Sequence, residues 1–436
     1  MNVIFVILVI SSFLFAGWQQ LTGGPFADGQ SPMAKLSKAM VESAGGAVDL
    51  AIGLVGVMAL FLGLMKIAEA GGLLQILSRL IRPLMVRLFP EVPPDHPAMG
   101  AMILNLSANA LGLGNAATPF GIKAMQELDT LNPHKGTATN SMALFMAINT
   151  SSVTLLPTGV IALRAAAGSQ DPAAILPTTL FATIGSTLIA VLSAKLYQRF
   201  FQVPAGLSRS EEAAEAADSG KTPAAEVSLA APADKGYPLW VSYTALALLA
   251  LSIPCAVLFG QAASPWILPG LIVGFLVFGL FRKVAIYEVF VEGAKDGFQV
   301  ALRIIPYMVA ILVAIGMLKA SGGLDVVVGA LATYTSAVGL PAEALPMALM
   351  RPLSGSGAYA ILASIINDPA IGPDSYTGYL VSTLQGCTET TFYVMAVYYG
   401  AIQIRRVRHT LAAALTADAA GIVFAVIACT LFFTAA

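Results

Sequence analysis

The stretch TLQGCTETTFY, Thr383 to Tyr393, sets one carboxylate, Glu389, and six neutral polar side chains inside an otherwise apolar run, Tyr376 to Gln403. That run exceeds the roughly 20 residues a helix needs to cross a bilayer. An ionised group at membrane depth costs several kcal/mol unless it is paired or wetted, which makes Glu389 a functional candidate. Gln385 lies one helical turn before it and Ser382 two, so the three share a face. A proton- or cation-coupling carboxylate beside a solute-binding amide, with Thr388 next to it, fits that face. The competing structural reading is a glutamate neutralised by Arg351 or Lys319, pinning neighbouring elements together.

The first half of the chain holds a counterpart, FMAINTSSVTLLP, Phe145 to Pro157, with Asn149, Thr150, Ser151, Ser152 and Thr154 but no charge. Asn149, Ser152 and carbonyls freed near Pro157 are oxygen donors suited to Na+. A proline kink with hydroxyls bonded back to the helix is the structural alternative. Two matching polar interruptions in two halves of one chain point to a transport site near the midplane.

Composition sets the class. The chain has 436 residues, 57% hydrophobic and 11% charged, with a mean hydropathy of +0.80. Soluble domains carry about 25% charged residues, so a polytopic membrane protein is expected. A net charge of −1 without long basic blocks argues against a nucleic-acid partner. Cys255, Cys387 and Cys429 sit in apolar segments without metal-ligand spacing, and His96, His134 and His409 lie at segment edges away from any nucleophile. No metal, no cofactor and no enzymatic activity are expected. The first apolar run, Val3 to Gly17, lacks a basic leader and a cleavage site, and reads as a retained spanning helix.

Working outward, a polar stretch, Trp18 to Ser43, precedes a helix from about Ala47 to Glu69 and an amphipathic segment bearing Arg79, Arg82 and Arg87. MILNLSANALGLGNAATPFGIKAM, Met102 to Met125, is apolar at both ends and rich in Gly and Asn between, which suits a hairpin that enters and leaves on one side. Helices over 138–164 and 175–200 complete a first unit, residues 1–203. Residues 204–238, rich in Ala, Glu, Asp, Lys and Ser, read as a disordered cytoplasmic linker. The second unit, 239–436, opens with two helices, Leu239 to Phe259 and Pro265 to Phe281, and an amphipathic segment over Val289 to Val300.

The order then repeats: GLMKIAEAGGL at Gly63 is echoed by GMLKASGGL at Gly316, and VPPDHPAMGAMILNLSANALGLG by LPAEALPMALMRPLSGSGAYAIL at Leu340. With the linker and the Arg405, Arg406, Arg408 cluster cytoplasmic, 18 of the 23 Lys and Arg fall inside; Lys35, Lys38, Arg164, Lys319 and Arg351 fall outside. The N-terminus is then cytoplasmic, and the extra helix of the second half inverts it, so its hairpin, Pro346 to Ile366, enters from the other face. The expected fold is an all-α polytopic membrane protein of two inverted-topology repeats, each with a re-entrant helical hairpin and a polar-interrupted transmembrane helix.

The hairpins supply further candidates. Asn105 and Asn109 are one turn apart, and Asn115 closes GLGN; these amides either meet a solute or glue helices together. In RPLSGSG, Arg351 stands before Pro352, Gly355 and Gly357, which loosen the backbone, while Ser354 and Ser356 add hydroxyls near free helix N-terminal amides. Arg351 is also the nearby cation expected to form the coupling pair with Glu389.

These motifs resemble known families. LGLMKIAEAGGL, RLFPEVPPDHPAMG and NLSANALGLGNAATPFGIKAM resemble the spore maturation A family; VFVEGAKDGFQVALRIIPY, RPLSGSGAYAIL and STLQGCTETTFYV resemble the spore maturation B family. The chain looks like a fusion of the two, each half similar to the nucleoside-recognition or "gate" domain and more distantly to concentrative nucleoside transporters. The resemblance implies a bacterial inner-membrane protein of transporter-like fold whose hairpins move as an elevator. The hairpin cysteine of the ferrous-iron transporters is absent from GLGNAAT, which speaks against iron.

The expected function is a secondary transporter of a small polar organic solute, nucleoside-like at best, coupled to H+ or Na+. The partners would be that solute, the lipid bilayer and, in a dimer or trimer, further copies of the chain. A non-transporting scaffold or regulator of envelope or spore maturation is the competing class, and a transporter of lipid-linked precursors stays open beside it.

Overall fold

The computed structural model describes residues 2–434 other than 24–29, 113–116, 202–236, 324–325, 327–328, 330–334 and 336–337. Expectations for Asn115 and for nearly all of the linker lie outside the described residues. What is described is helical, with one isolated bridge between Thr137 and Arg406.

In the first half α1 (Asn2–Thr22) precedes α2 (Pro32–Ala70), which Ser31 caps by accepting the Ala34 amide at 3.2 Å. The polar stretch between the first two helices is thus much shorter than its composition suggested, because Pro32 at the first helical position starts α2 early. At Gly71 and Gly72 the chain turns 67° into α3 (Leu73–Leu88), Gly72 taking the left-handed φ of 87° that such a corner needs. Then α4 (Pro97–Ala110) and α5 (Ala117–Thr130) pack against each other as a helical hairpin. The run expected to be one helix over 138–164 is two, α6 (Asn140–Thr150) and α7 (Thr158–Ala166). Thr150 and Ser151 bond their hydroxyls back to the Ala147 carbonyl at 3.0 and 2.9 Å, and Pro157 cannot donate to the ladder, so the helix stops between them. The half ends in α8 (Leu176–Tyr197).

The second half begins with α9 (Leu239–Phe281), helical throughout where the sequence suggested two helices. A straight 43-residue helix would be roughly 65 Å long. Yet Ser242, near its start, donates to the Leu80 carbonyl, and Arg282, just past its end, donates to the Gly71 carbonyl. Nine residues span at most about 32 Å even fully extended, so α9 bends back on itself between these two contacts. After α10 (Ile286–Ala320) come α11 (Leu345–Met350) and α12 (Gly355–Ile366), a second hairpin, with Ser354 capping α12 through the Gly357 amide at 3.1 Å. The second interrupted helix is α13 (Tyr376–Cys387) and α14 (Thr391–Gly400), and α15 (Thr410–Thr434) closes the chain.

Equivalent helices of the two halves pair antiparallel. Along α2 and α10, Gly316 meets Ser43, Gly297 meets Ala59 and Gly63 meets Phe290. Between α8 and α15, Tyr197 bonds Thr416 and Phe181 stacks edge-on against Phe424. The interrupted helices follow suit: Phe145 of α6 stacks on Tyr398 of α14, and Arg164 of α7 reaches Ser382 of α13. The main core is shared between halves, with Val160 and Ile161 packed among Ile361, Leu384 and Ala425. Among the described residues α1, α8 and α15 are long and apolar enough to cross a membrane, as is the bent α2 and α3 pair if taken as one span. Exposed Leu14, Leu188, Leu248 and Leu431 give the bundle the apolar exterior of a multi-pass membrane protein.

Candidate functional site

The breaks of the two interrupted helices meet. An interruption frees carbonyls at the end of one segment and amides at the start of the next, and in an apolar medium each needs a partner. Here they partner one another: the Glu389 amide donates to the Thr150 carbonyl at 2.8 Å, across the two halves. Each break is also stitched to its own hairpin. The Leu155 amide donates to the Ala110 carbonyl at 2.8 Å, and the Phe392 amide to the Pro352 carbonyl at 3.1 Å.

Side chains repeat the arrangement. On the first-half side, Asn109 donates to Asn149 Oδ1 at 3.0 Å, and Asn149 donates to the Phe145 carbonyl at 2.9 Å. On the second-half side, Arg351, almost fully buried, donates from Nε to the Gln385 carbonyl at 3.0 Å and from a terminal nitrogen to Thr390 Oγ1 at 3.1 Å. Its other terminal nitrogen is 3.7 Å from Glu389 Oε2. That is a loose ion pair, and the Glu389 side chain is 43% exposed. Lys319, the other cation the sequence offered to Glu389, pairs instead with Asp368 at 2.7 Å, and this pairing holds the Asp368 carboxyl below its ordinary range.

The remaining sequence candidates are placed as follows. Gln385 and Thr388 are buried beside Arg351, and Gln385 Oε1 has no partner among the described residues. Ser354 caps α12, and Ser356 stands half-buried on its first turn. Asn105 is completely buried and donates to the Ala117 carbonyl at 2.8 Å and to Tyr398 Oη at 3.1 Å, tying both hairpin arms to α14. Ser152 is buried in the first break, where its carbonyl accepts from Thr154. Thus Asn109 and Asn149 form one cluster, Arg351, Gln385, Thr388 and Glu389 the other, and the Thr150 to Glu389 bond joins them. No trio of His, Cys, Asp or Glu with metal-binding geometry occurs among the described residues.

Two features escaped the sequence reading. Asp418, on α15, is 4% exposed and accepts from Thr391 Oγ1 at 2.7 Å. It is a single carboxylate in an apolar run, the same signal that singled out Glu389. Arg164, completely buried at the end of α7, donates to Asp374 Oδ1 at 2.9 Å and to the Pro373 carbonyl at 2.6 Å, in the loop before α13. At the opposite end of the crossing, Arg408 donates to the Ala138 carbonyl at 3.0 Å, in the loop before α6. Each half thus clamps the other with an arginine, Arg164 in the last turn of its interrupted helix and Arg408 just beyond its own.

Space at the crossing is scant. The cavity between Arg351, Cys387, Thr388 and Asp418 is about 10 Å³ to the centre of a water-sized sphere, room for about one water. A larger cavity of about 310 Å³ lies away from it, at the start of α6 between Glu91, His134 and Arg408.

A family model described as Gate, nucleoside recognition, matches residues 51–167 and 301–405, together just over half of the chain. The chain belongs to the Gate family. The first Gate segment holds the hairpin of α4 and α5 and the break before Pro157; the second holds the turn at Arg351 and the break at Glu389. Asp418 lies beyond both. Over 200 residues the chain is 44% identical to spore maturation protein A of Bacillus subtilis, spanning 46% of this chain and 94% of that protein. Over 169 residues it is 44% identical to spore maturation protein B of the same organism, spanning 39% of this chain and 94% of that protein. It is homologous to both. Among solved structures, CNTnw in an inward-facing substrate-bound state is similar with a TM-score of 0.44 at 14% identity, over 98% of this chain and 92% of that one.

Proposed function

We propose that this Gate protein is a secondary transporter of a small polar organic solute, nucleoside-like in its mix of amide, hydroxyl and carboxylate contacts, coupled to H+ or Na+ and resident in a bacterial inner membrane. The observation that carries the reading is the crossing of two broken helices, with a hairpin tip bonded into each break and the Arg351 and Glu389 pair at the junction. The antiparallel pairing of α2 with α10, of α8 with α15 and of the two interrupted helices favours two inverted-topology repeats, and the hairpins then read as re-entrant from opposite faces. Glu389 and Arg351 are the proposed coupling pair. Asn109, Asn149, Gln385, Thr388, Ser354 and Ser356 are the proposed solute contacts, and Asn149 with Ser152 the cation alternative. In the arrangement described, the crossing has no solute-sized space, so the reading requires a hairpin to withdraw from its break.

Purified protein in liposomes should show gradient-driven movement of a nucleoside-class solute. Silence across a broad metabolite panel, with folded protein and with either H+ or Na+ gradients, would remove the transporter reading. Accessibility tags test the topology: one after Gly220 should be cytoplasmic and one at Thr22 external, and tags on the same side are incompatible with inverted repeats.

The names of the two Bacillus relatives favour a second reading, a membrane scaffold or regulator serving spore or envelope maturation. That reading expects neutral substitutions at the crossing to leave function intact while changes in surface loops abolish it.

A further inference from the structure

Asp418 is the one strongly buried carboxylate among the described residues, and the Gate segments do not include it. Its Oδ2 is held by Thr391 Oγ1 at 2.7 Å; its Oδ1 is fully enclosed and has no partner among the described residues. The carboxylate borders the water-sized cavity, whose lining also includes Arg351. A bare carboxylate so placed, with one oxygen unbonded, is far too costly to persist. A single water in the cavity could bond Oδ1 but would leave the charge itself unpaired, so two ways of relieving that charge exist at this spot: a proton on Oδ1, or the guanidinium of Arg351.

In the arrangement seen, Arg351 is engaged elsewhere, on the Gln385 carbonyl, on Thr390 and, loosely, on Glu389. We infer that Asp418 is a proton-binding site, and that Arg351 exchanges between Glu389 when Asp418 holds its proton and Asp418 when the proton has left. The proton arrives from water through the cavity and forms an Oδ1–H bond; its release returns an anion that attracts Arg351. Since Arg351 opens the turn of the second hairpin and Glu389 lies in the break, that exchange would loosen the hairpin from the break. The inference rests on the transporter reading for the word coupling, and names H+ as the ion.

The groups facing Asp418 are few. Arg351 comes from the hairpin turn, Cys387 from the end of α13 and Thr391 from α14, while Glu389 in the break reaches Arg351 but does not line the cavity. From α8, Ser186 donates to the neighbouring Ala417 carbonyl, while Lys195 and Tyr197 lie further along, bonded to the Leu88 carbonyl and to Thr416. The stretch of α6 beside α15 presents no titratable side chain.

Infrared difference spectra of the full chain in lipid, taken between mildly acid and mildly alkaline buffers, read the C=O stretch of a protonated carboxylic acid directly. The expected result is such a band in the unmodified chain, lost in Asp418→Asn and kept in Glu389→Gln. A band lost in Glu389→Gln but kept in Asp418→Asn overturns the inference, as does the absence of any protonated-acid band. Should Asp418→Asn fail to fold, Thr391→Val supplies the check: removing the hydrogen bond to Oδ2 shifts the band if it belongs to Asp418, and an unmoved band overturns the assignment. Transport is scored separately. An Asp418 band without solute movement removes the transporter reading alone, whereas uptake of a nucleoside still driven by a pH gradient in Asp418→Asn removes the inference alone.

Discussion

The Glu389 amide and the Thr150 carbonyl lie 2.8 Å apart, joined by a main-chain hydrogen bond that ties the break of one half to the break of the other. Because the bond uses backbone atoms, it survives any side-chain change at Glu389. The Glu389 side chain is also 43% exposed, so removing its charge costs little folding energy.

Glu389→Gln is therefore expected to leave the thermal midpoint close to that of the unmodified chain while ending pH-gradient-driven uptake, with solute exchange still measurable. Arg351→Gln behaves differently, because it withdraws the donors held by the Gln385 carbonyl and Thr390 inside the protein. About 1–3 kcal/mol of stability should go with them. If the double variant regained coupled uptake, Glu389 would be a structural partner of Arg351 and nothing more.

The seam between α2 and α10 should be intolerant of added volume. A Cβ on Gly297 would come within 2.7 Å of the Ala59 backbone, whereas one on Gly45 of α2 would meet nothing within 4 Å. Gly297→Ala should lower stability by about 1–3 kcal/mol through overpacking, and Gly45→Ala should be neutral or slightly stabilising through helix propensity. Equal melting shifts for the two would contradict the close antiparallel contact.

The Arg164 clamp predicts an asymmetry between its partners. Arg164 is completely buried, while the Asp374 side chain is 41% open to water. Arg164→Met leaves behind a carboxylate that solvent can reach, at a cost on the order of 2 kcal/mol from lost hydrogen bonds. Asp374→Asn strands a buried cation and should cost more. Melting both variants in detergent compares them directly, and the reverse order would show that Arg164 does not depend on Asp374.

Acidification should destabilise the protein through His409. Its ring is completely buried just before α15 with neither nitrogen bonded among the described residues, and burial, aided by Arg408, lowers its pKa from 6.5 to about 4. A base whose folded pKa is depressed binds its proton first in the unfolded chain. Its contribution is then fully present above about 6.5 and is lost as pH falls toward 4, by about 1.4 kcal/mol per pH unit. His409→Gln should flatten the melting profile across that window, and an unchanged acid slope would assign the loss to other groups.

Much of this protein is written along the chain. The apolar runs, the echo of GLMKIAEAGGL in GMLKASGGL, the hairpin patterns and the polar interruptions at Asn149 and Glu389 are local signals, because period, glycine placement and a charge in an apolar run need no knowledge of neighbours. They specify a helical membrane protein of two similar halves, and the Gate match falls on those stretches. Partner choice is different, since it depends on which distant segments the fold brings together. Sequence distance offered Glu389 both Arg351 and Lys319; the tertiary structure gives Lys319 to Asp368 and places Arg351 beside Glu389 and Asp418. Arg164, counted from sequence as an external cation, is buried against a loop of the other half, 210 residues away. The crossing of the two breaks was likewise undetermined by the chain, because a carbonyl freed at Thr150 and an amide freed at Glu389 become partners only once the two interrupted helices have packed against each other.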